Sequence, residues 1–570
     1  MEIVRKTGWE TLLLFVLCLA AFFVNNNMLP TDPAEAKTIV TAREIVANDN
    51  WMSPTMNGES RIDRPPLAVW VAASVEKVYP GNISVQRSVV ALLATMWALF
   101  FYGVARYMER RRGFAELATV VFLTSYNVIY HGRMVHQDIY GYSLMMGAIY
   151  FLFRLLYDER YYAYPHKWRW AILAGFMMGL SFLGDGIEPF YSMLLPLIIV
   201  ILLLKRPAME GRWMPLVLLC VICVLTFGWR IAYLMSAYPE YHLAGELSVY
   251  ASDSTRPWYY YWRFFAEMGV WTLLLVAAFF IPYWYKRLST KRLYGMSMAW
   301  LVIALVLLSA IPNKEMTDLL PLVPPCALIV ACLLFYFTER WPKDKWGKGL
   351  FFANGYLMTL LAFGLPFFVH FRMTNWYIID FGTSVFIAFF LFAIAIYLLF
   401  STTRKDMTGI VRGVTVLFLI IECFMLGAVG NIFINPKYRS ISLLQKNSEL
   451  KSLPIYYNKE EALRIELVYA ANKSILPLDL NDGEAVEKAA PCLLLTQKSL
   501  ASESPDRLLQ RVDTLHLGVY DDNRLPRHNR HYGKALVNHV TMLKPKANSQ
   551  RPTANSQRPT ANSLCAGKNH

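Results

Sequence analysis

The stretch "TLLLFVLCLAAFFVNNNMLPTDPAEAK" (Thr11–Lys37) decides the fold class. Its first half is an unbroken apolar run. Its second half turns polar and acidic, and that character persists through "TAREIVANDNWMSPTMNGESRIDRPPLAVW" to Trp70. A connector between two membrane segments needs only a handful of residues. A polar insertion this long, placed directly after the first apolar run, therefore carries structure of its own.

The pattern of the opening run repeats along the chain. The 570 residues are 56% hydrophobic and 17% charged, whereas a soluble domain keeps roughly a quarter of its residues charged. Apolar segments near the ~20 residues that cross a bilayer fall at 10–26, 87–107, 113–130, 139–157, 170–184, 188–204, 213–236, 268–285, 294–311, 318–338, 349–370, 380–401 and 409–434. The expected fold is mainly α: a polytopic membrane protein of about 13 transmembrane helices, with juxtamembrane helices on its outer face. Alternate links such as "RYMERRRG", "YKRLSTKRL" and "STTRKD" are basic, which places them on the cytoplasmic side. The net charge of +15 thus reports sidedness, and no nucleic-acid partner is expected. The 25–86 loop and everything after Asn435 fall on the opposite face. Arg5 and Lys6 precede the first run, but the small-residue "AEA" lies too far beyond it for signal cleavage, so an uncleaved anchor is expected. Cys220 and Cys223 form a C-x-x-C inside an apolar segment, which reads as packing.

After Asn435 the composition becomes globular. "LPIYYN", "SILPLDL", "PCLLLTQ" and "DTLHLGVYD" read as strands, and "KEEALRIELVYAANK" and "PDRLLQRV" as helices. The expected division is a membrane domain over 1–435, a small α/β domain on the outer face over 436–545, and a disordered tail over 546–570. The tail's "ANSQRPTANSQRPTANS" repeat has no apolar face to bury.

Charged residues on the outer face lie mostly at helix ends and in loops. That suits a site at the membrane boundary better than a transport path, which places ionisable groups near the midplane. Glu422, centred in the last span, is the exception. It reads either as a partner to a neighbouring helix or as part of a polar pathway.

"AEAK", "TAREIVANDNWMSPTMNGE" and "DRPPLAVW" follow one another in an order that resembles the first outer loop of the GT-C superfamily of lipid-linked-sugar glycosyltransferases. The lipid A aminoarabinose transferases and protein O-mannosyltransferases are the nearest members. "GRMVHQDIYGYSLMMGAIYF", "RPWYYYW" and "IPNKEMTDLLP" resemble later landmarks of that family. The resemblance implies an inverting transfer of a sugar from a polyprenyl-phosphate donor to a lipid, glycan or protein acceptor. It implies a bacterial inner-membrane location, with the active site and the C-terminal domain in the periplasm among membrane lipids. It allows a divalent metal held by acidic residues, and the spacing does not compel one.

Such a reaction needs a carboxylate to take the acceptor's proton, cations to hold the departing phosphate and a groove for the lipid tail. Candidate bases are Glu35 and Asp138, with Asp32 third. Candidate phosphate holders are Arg64, Arg133, Arg256 and Lys314, and Trp258, Tyr259, Tyr260 and Asp185 are placed in the substrate pocket. Each has a plainer explanation. Asp32-Pro33-Ala34-Glu35 is also a helix start, Asp138 also a cap, the cations also headgroup anchors, and "PWYYYW" also an aromatic belt. His131, His136 and His242 carry no individual signal as ligands.

The chain departs from the family in four places. Ala34 stands where relatives usually carry the Asp of an acidic pair, and Arg64 replaces a Lys. Asp185 stands where a Lys is common, and Thr317-Asp318 replaces an Arg-Tyr. Two cations are lost and a carboxylate gained, which implies an altered donor pocket. The rival readings are a transporter or flippase of polyprenyl-linked sugars and a catalytically inactive scaffold subunit.

Overall fold

A computed structural model describes residues 13–546 except 63, 112, 158–164, 239–255, 312–313, 315–316, 375–379, 427–434, 436, 501–510, 526, 528 and 530–531. Arg5 and Lys6, His242, most of the helix expected at "PDRLLQRV" and the terminal repeat lie outside the described residues. The chain divides into two compact units, Met1–Ile434 and Asn435–His570.

The first unit is a helical bundle. Among the described residues, eight helices are long and apolar enough to cross a membrane: Ile83–Met108, Gln137–Tyr157, Trp213–Ala237, Lys291–Ala310, Thr317–Glu339, Lys345–Phe371, Phe381–Thr403 and Met407–Met425. Leu13–Phe23, Phe114–Leu123 and Phe190–Leu204 are shorter apolar helices. Two expected spans are broken. The 113–130 segment stops at Leu123 and resumes as Tyr126–His131. The 268–285 segment consists of a 3-10 stretch, Trp258–Trp271, followed by Thr272–Ala278 and Ile281–Tyr285. Gly269, at φ 57°, makes that kink, a conformation for which glycine carries no Cβ penalty. π-turns occupy Leu19–Phe23 and Ile421–Met425.

Glycines set the closest helix crossings. A Cβ on Gly175 would lie 2.4 Å from the Leu219 carbonyl oxygen, and one on Gly179 would lie 2.4 Å from Thr226 Cβ. The Pro165–Asp185 and Trp213–Ala237 helices therefore touch backbone to backbone. A Cβ on Gly141 would fall 2.4 Å from Asp185 Cβ, so the Gln137–Tyr157 helix makes the same kind of contact.

The long first loop folds as a block. Asp32 caps the Pro33–Asn48 helix by accepting from the Glu35 N–H at 2.9 Å, and Pro33 takes the first position, where its missing N–H costs nothing. Strands β1 (Thr55–Met56) and β2 (Glu59–Ser60) form a hairpin. Its turn residues, Asn57 at φ 56° and Gly58 at φ 83°, are the pair favoured by tight hairpins. Glu44 fastens the hairpin to the helix, accepting from the Thr55 hydroxyl and the Asn57 N–H, both at 2.6 Å. Trp70, on the following Leu67–Val78 helix, donates its indole N–H to the Trp51 carbonyl at 2.6 Å.

The second unit carries a five-stranded sheet in the order β4-β3-β5-β7-β6, with β3 Ile455–Asn458, β4 Ile475–Leu478, β5 Cys492–Thr496, β6 Val512–Asp521 and β7 Val537–Pro545. β3 pairs in parallel with β4 and β5, while β7 runs antiparallel to β5 and β6. β5 is buried along its whole length, as a central strand should be. The helix expected over 459–473 is confined to Ile465–Ala471, where Asn472 in the left-handed region ends it. Gly483–Ala489 supplies a helix not foreseen, and β7 a strand not foreseen.

Candidate active site

Two of the expected site residues are locked in buried ion pairs. Glu35 is fully buried; Arg87 donates to its two oxygens from Nε at 2.8 Å and Nη2 at 2.5 Å, and the Val135 N–H adds a third bond at 3.0 Å. The remaining Arg87 nitrogen donates to the carbonyls of Asn26 and Leu29, each at 2.8 Å. This carboxylate fastens the first loop to the Ile83–Met108 helix and to the second loop. The expectation that it serves as a base runs against this geometry, because the carboxylate is fully buried and already holds three donors. Arg133 is likewise buried, donating to the carbonyls of Val24 at 2.5 Å and Ala20 at 2.7 Å and to Glu422 at 2.5 Å. It joins the first helix to the last span. The same pair ties Glu422 to the turn between the Tyr126–His131 and Gln137–Tyr157 helices, where the sequence left a neighbouring helix or a polar pathway open.

The other carboxylates gather at the same end of the bundle. Asp32, beyond its cap bond, accepts from the Tyr130 hydroxyl at 2.9 Å and from His136 Nε2 at 2.8 Å. Burial alone would raise its carboxyl. The His136 hydrogen bond and charge, with the bonds from Glu35 and Tyr130, outweigh burial and hold it well below the usual carboxylate range. For His136 burial works downward, and the bond and charge of Asp32 overcome it, leaving the imidazole raised. His131 has no such compensation. Burial first, then the neighbouring His136, push it down to about 3 against the smaller upward pull of Asp32. Asp138 opens the Gln137–Tyr157 helix, with its side chain one-fifth exposed and 3.8 Å from His131 Nδ1.

Asp185 lies beside this group because Gly141 has no side chain to hold it off. Gln137 donates to its Oδ1 at 3.3 Å, while its buried Oδ2 has no hydrogen-bond partner among the described residues. The charges of Asp138, Glu188, Arg64 and Asp318 all act on it. Residues from four separate polar segments thus share one neighbourhood. Tyr142 donates to Glu188 at 2.6 Å and Tyr261 to Asp318.

Arg64 lines a cleft with Pro65, Phe182, Phe227, Arg230 and Ile231. The cleft lies beyond the Gly175 and Gly179 contacts, where the two helices approach their polar ends. Arg230, which also donates to the Met52 carbonyl at 2.5 Å, is a cation that reading the sequence missed. Its signal was available, since a charged residue inside an apolar span is a pointer to function. Lys314 is buried and donates to the carbonyls of Ile311 at 2.5 Å and Arg256 at 3.2 Å. Arg256 lies over the Tyr260 ring and donates to the Tyr260 hydroxyl. Trp258 and Tyr259 are exposed on the Trp258–Trp271 stretch, away from the carboxylates' hydrogen bonds.

Residues 63–229 match the dolichyl-phosphate-mannose-protein mannosyltransferase family. A crystal structure of ArnT from Cupriavidus metallidurans bound to undecaprenyl phosphate superposes with a TM-score of 0.65 at 15% identity, covering 94% of this chain and 98% of that one. The chain has the GT-C fold. The undecaprenyl phosphate-α-4-amino-4-deoxy-L-arabinose arabinosyl transferase of Shewanella sediminis is 24% identical over 341 residues, 54% of this chain and 58% of that protein. The Serratia proteamaculans enzyme of the same name is 23% identical over 406 residues, 68% of this chain and 72% of its own length. The match to the first of these relatives therefore spans less than two thirds of its length. Within the GT-C fold, the Arg64-Pro65-Pro66 turn and Asp138 lie in the stretch matched by the family.

Proposed function

We propose that this protein is an inverting glycosyltransferase of the outer membrane face, taking a sugar from a polyprenyl-phosphate carrier. One observation carries the reading: Arg64 and Arg230 line one small hollow, and the charge of Arg64 acts on Asp185 together with those of Asp138, Glu188 and Asp318. Two neighbouring guanidiniums suit a phosphate, and the similarity to polyprenyl-phosphate enzymes supports the same donor class. A pentosyl donor fits those relatives. The loss of two family cations and the gain of Asp185 favour a sugar whose ring carries a different charge.

In this reading Asp138 is the base. It stands at the start of the Gln137–Tyr157 helix with its side chain one-fifth exposed, where an acceptor can approach it. The acceptor oxygen attacks the anomeric carbon as the bond from that carbon to the phosphate oxygen breaks. The acceptor's proton passes to Asp138, and the electron pair leaves with the phosphate, whose added charge Arg64 and Arg230 stabilise. Lys314 positions the Arg256 segment. Lipid A, another glycan or a protein serves as acceptor. The transporter reading loses its marker residue, since Glu422 is tied to Arg133.

The test is incubation of the purified protein with a panel of polyprenyl-phosphate sugars and acceptors, following release of the polyprenyl phosphate. The expected result is release that depends on Asp138. Release absent across the panel, or undiminished in Asp138→Asn, overturns the reading.

A further inference from the structure

We infer that His131, His136 and Asp138 form a three-ligand site for a zinc-type divalent cation. Their donor atoms all lie within 4.8 Å of one another. The two imidazole Nδ1 atoms face each other at 3.2 Å, and two nitrogens on one tetrahedral zinc, each bonded at about 2.0–2.1 Å, stand about 3.3 Å apart. His131 Nδ1 lies 3.8 Å from Asp138 Oδ2, within a small side-chain rotation of the same edge length.

The surroundings match what a metal site requires. Asp32 accepts from His136 Nε2 at 2.8 Å, which fixes the proton on that nitrogen and leaves Nδ1 as the ligand atom. A carboxylate behind a ligating histidine is the usual outer partner at metal sites. Both imidazoles are buried, so the loop holds them in place before any ion arrives, while the more exposed Asp138 forms the open side. Three protein ligands leave a fourth position for water or a substrate oxygen, the pattern of open sites. Imidazole donors favour zinc over magnesium or calcium. The cation also offsets the charge that Asp32, Asp138, Asp185, Glu188 and Asp318 crowd into one region.

The inference rests on the proposed function only for what the ion would serve. An ion held there would stand beside the acceptor, since Asp138 belongs to both proposed sites. Occupancy itself is independent of any transfer reaction, so failure of one reading is distinguishable from failure of the other.

The experiment uses the full-length protein purified in detergent. It is stripped with a chelator, reloaded with zinc at micromolar concentration, desalted and assayed for metal by mass spectrometry, with a parallel cobalt sample read by visible absorption. The expected result is about one zinc per chain and tetrahedral cobalt bands. The His131→Gln/His136→Gln double variant should hold at least tenfold less, and Asp32→Asn should bind zinc about 10–100-fold more weakly. Wild-type protein that retains no zinc above buffer and gives no cobalt bands overturns the inference, and the histidines are then simply hydrogen-bonded to each other. Full zinc occupancy in a double variant that elutes and melts like wild type overturns it equally.

Discussion

Replacing Glu35 with Gln separates a structural carboxylate from a catalytic one. In the fold, Arg87 gives Glu35 two charge-assisted hydrogen bonds, at 2.8 and 2.5 Å, inside a region with no solvent. Glutamine keeps one acceptor oxygen but turns an NH2 group toward the guanidinium, so one pair becomes donor against donor and the Arg87 charge loses its counter-ion. Breaking a buried pair by removing one partner costs about 3–5 kcal/mol. The carbonyls of Asn26 and Leu29 still solvate Arg87, which places the expected loss near the lower end, about 3 kcal/mol. Thermal melting in detergent should show the loss directly, and tryptic cleavage at Lys37 should accelerate as the loop loosens. Replacing both partners, Glu35→Gln/Arg87→Met, should cost less than the sum of the single changes, with a coupling of about 2 kcal/mol. Glu35→Gln protein that melts within about 0.5 kcal/mol of wild type, yet transfers no sugar, would refute this reasoning and return the base role to Glu35.

Three further outcomes are expected. Asp138→Asn should lower transfer by about 10²–10⁴-fold with little change in melting, measured as turnover at saturating donor. Arg230→Leu should raise the donor KM and lower kcat together, because the departing phosphate loses one of the two cations lining the cleft; unchanged kinetics would remove Arg230 from the site. In the C-terminal unit, burial first, with help from Asp521, pushes the Asp522 carboxyl up to about 6 from an ordinary 3.8, against the hydrogen bonds of Ser440 and Ile441. The folded state therefore binds the extra proton, so stability is highest below pH ~4, falls as pH rises to ~6 and then levels, over a range of up to about 3 kcal/mol. Asp522→Asn should flatten that profile, read by proteolysis of the C-terminal unit at fixed pH steps.

The helical membrane architecture was legible because apolar length is a local property, written in runs such as Phe381–Thr403 that no tertiary contact can disguise. The breaks were not. Gly269 inside "WRFFAEMGVW" reads as an ordinary member of an apolar segment until its φ of 57° is known. The grouping of charge at one end was partly legible, since Asp32, Arg64, Asp138 and Asp185 each sit at a polar end of an apolar run. Which carboxylate is clamped was not legible, because Arg87 stands 52 residues from Glu35 and Glu422 stands 289 from Arg133. The histidine pair escaped notice for a similar reason. Five residues apart along an irregular loop, His131 and His136 match no helical or strand spacing that brings two rings face to face. Strand β7 was hidden in "VNHVTMLKP", whose polar alternation is weak and whose pairing is entirely with strands before it.

The widened turns at Leu19–Phe23 and Ile421–Met425 bear on how this chain can vary in length. A π-turn holds one more residue than the α-turn it replaces, and these two bracket the Arg133 contacts with Ala20, Val24 and Glu422. Deleting a single residue from either would close the turn to regular α geometry and leave the helix beyond it in phase, whereas the same deletion in a regular turn would rotate everything beyond it by about 100°. Single-residue gaps between homologues should therefore be found at these two turns as well as in the connecting loops, and not elsewhere along the apolar helices.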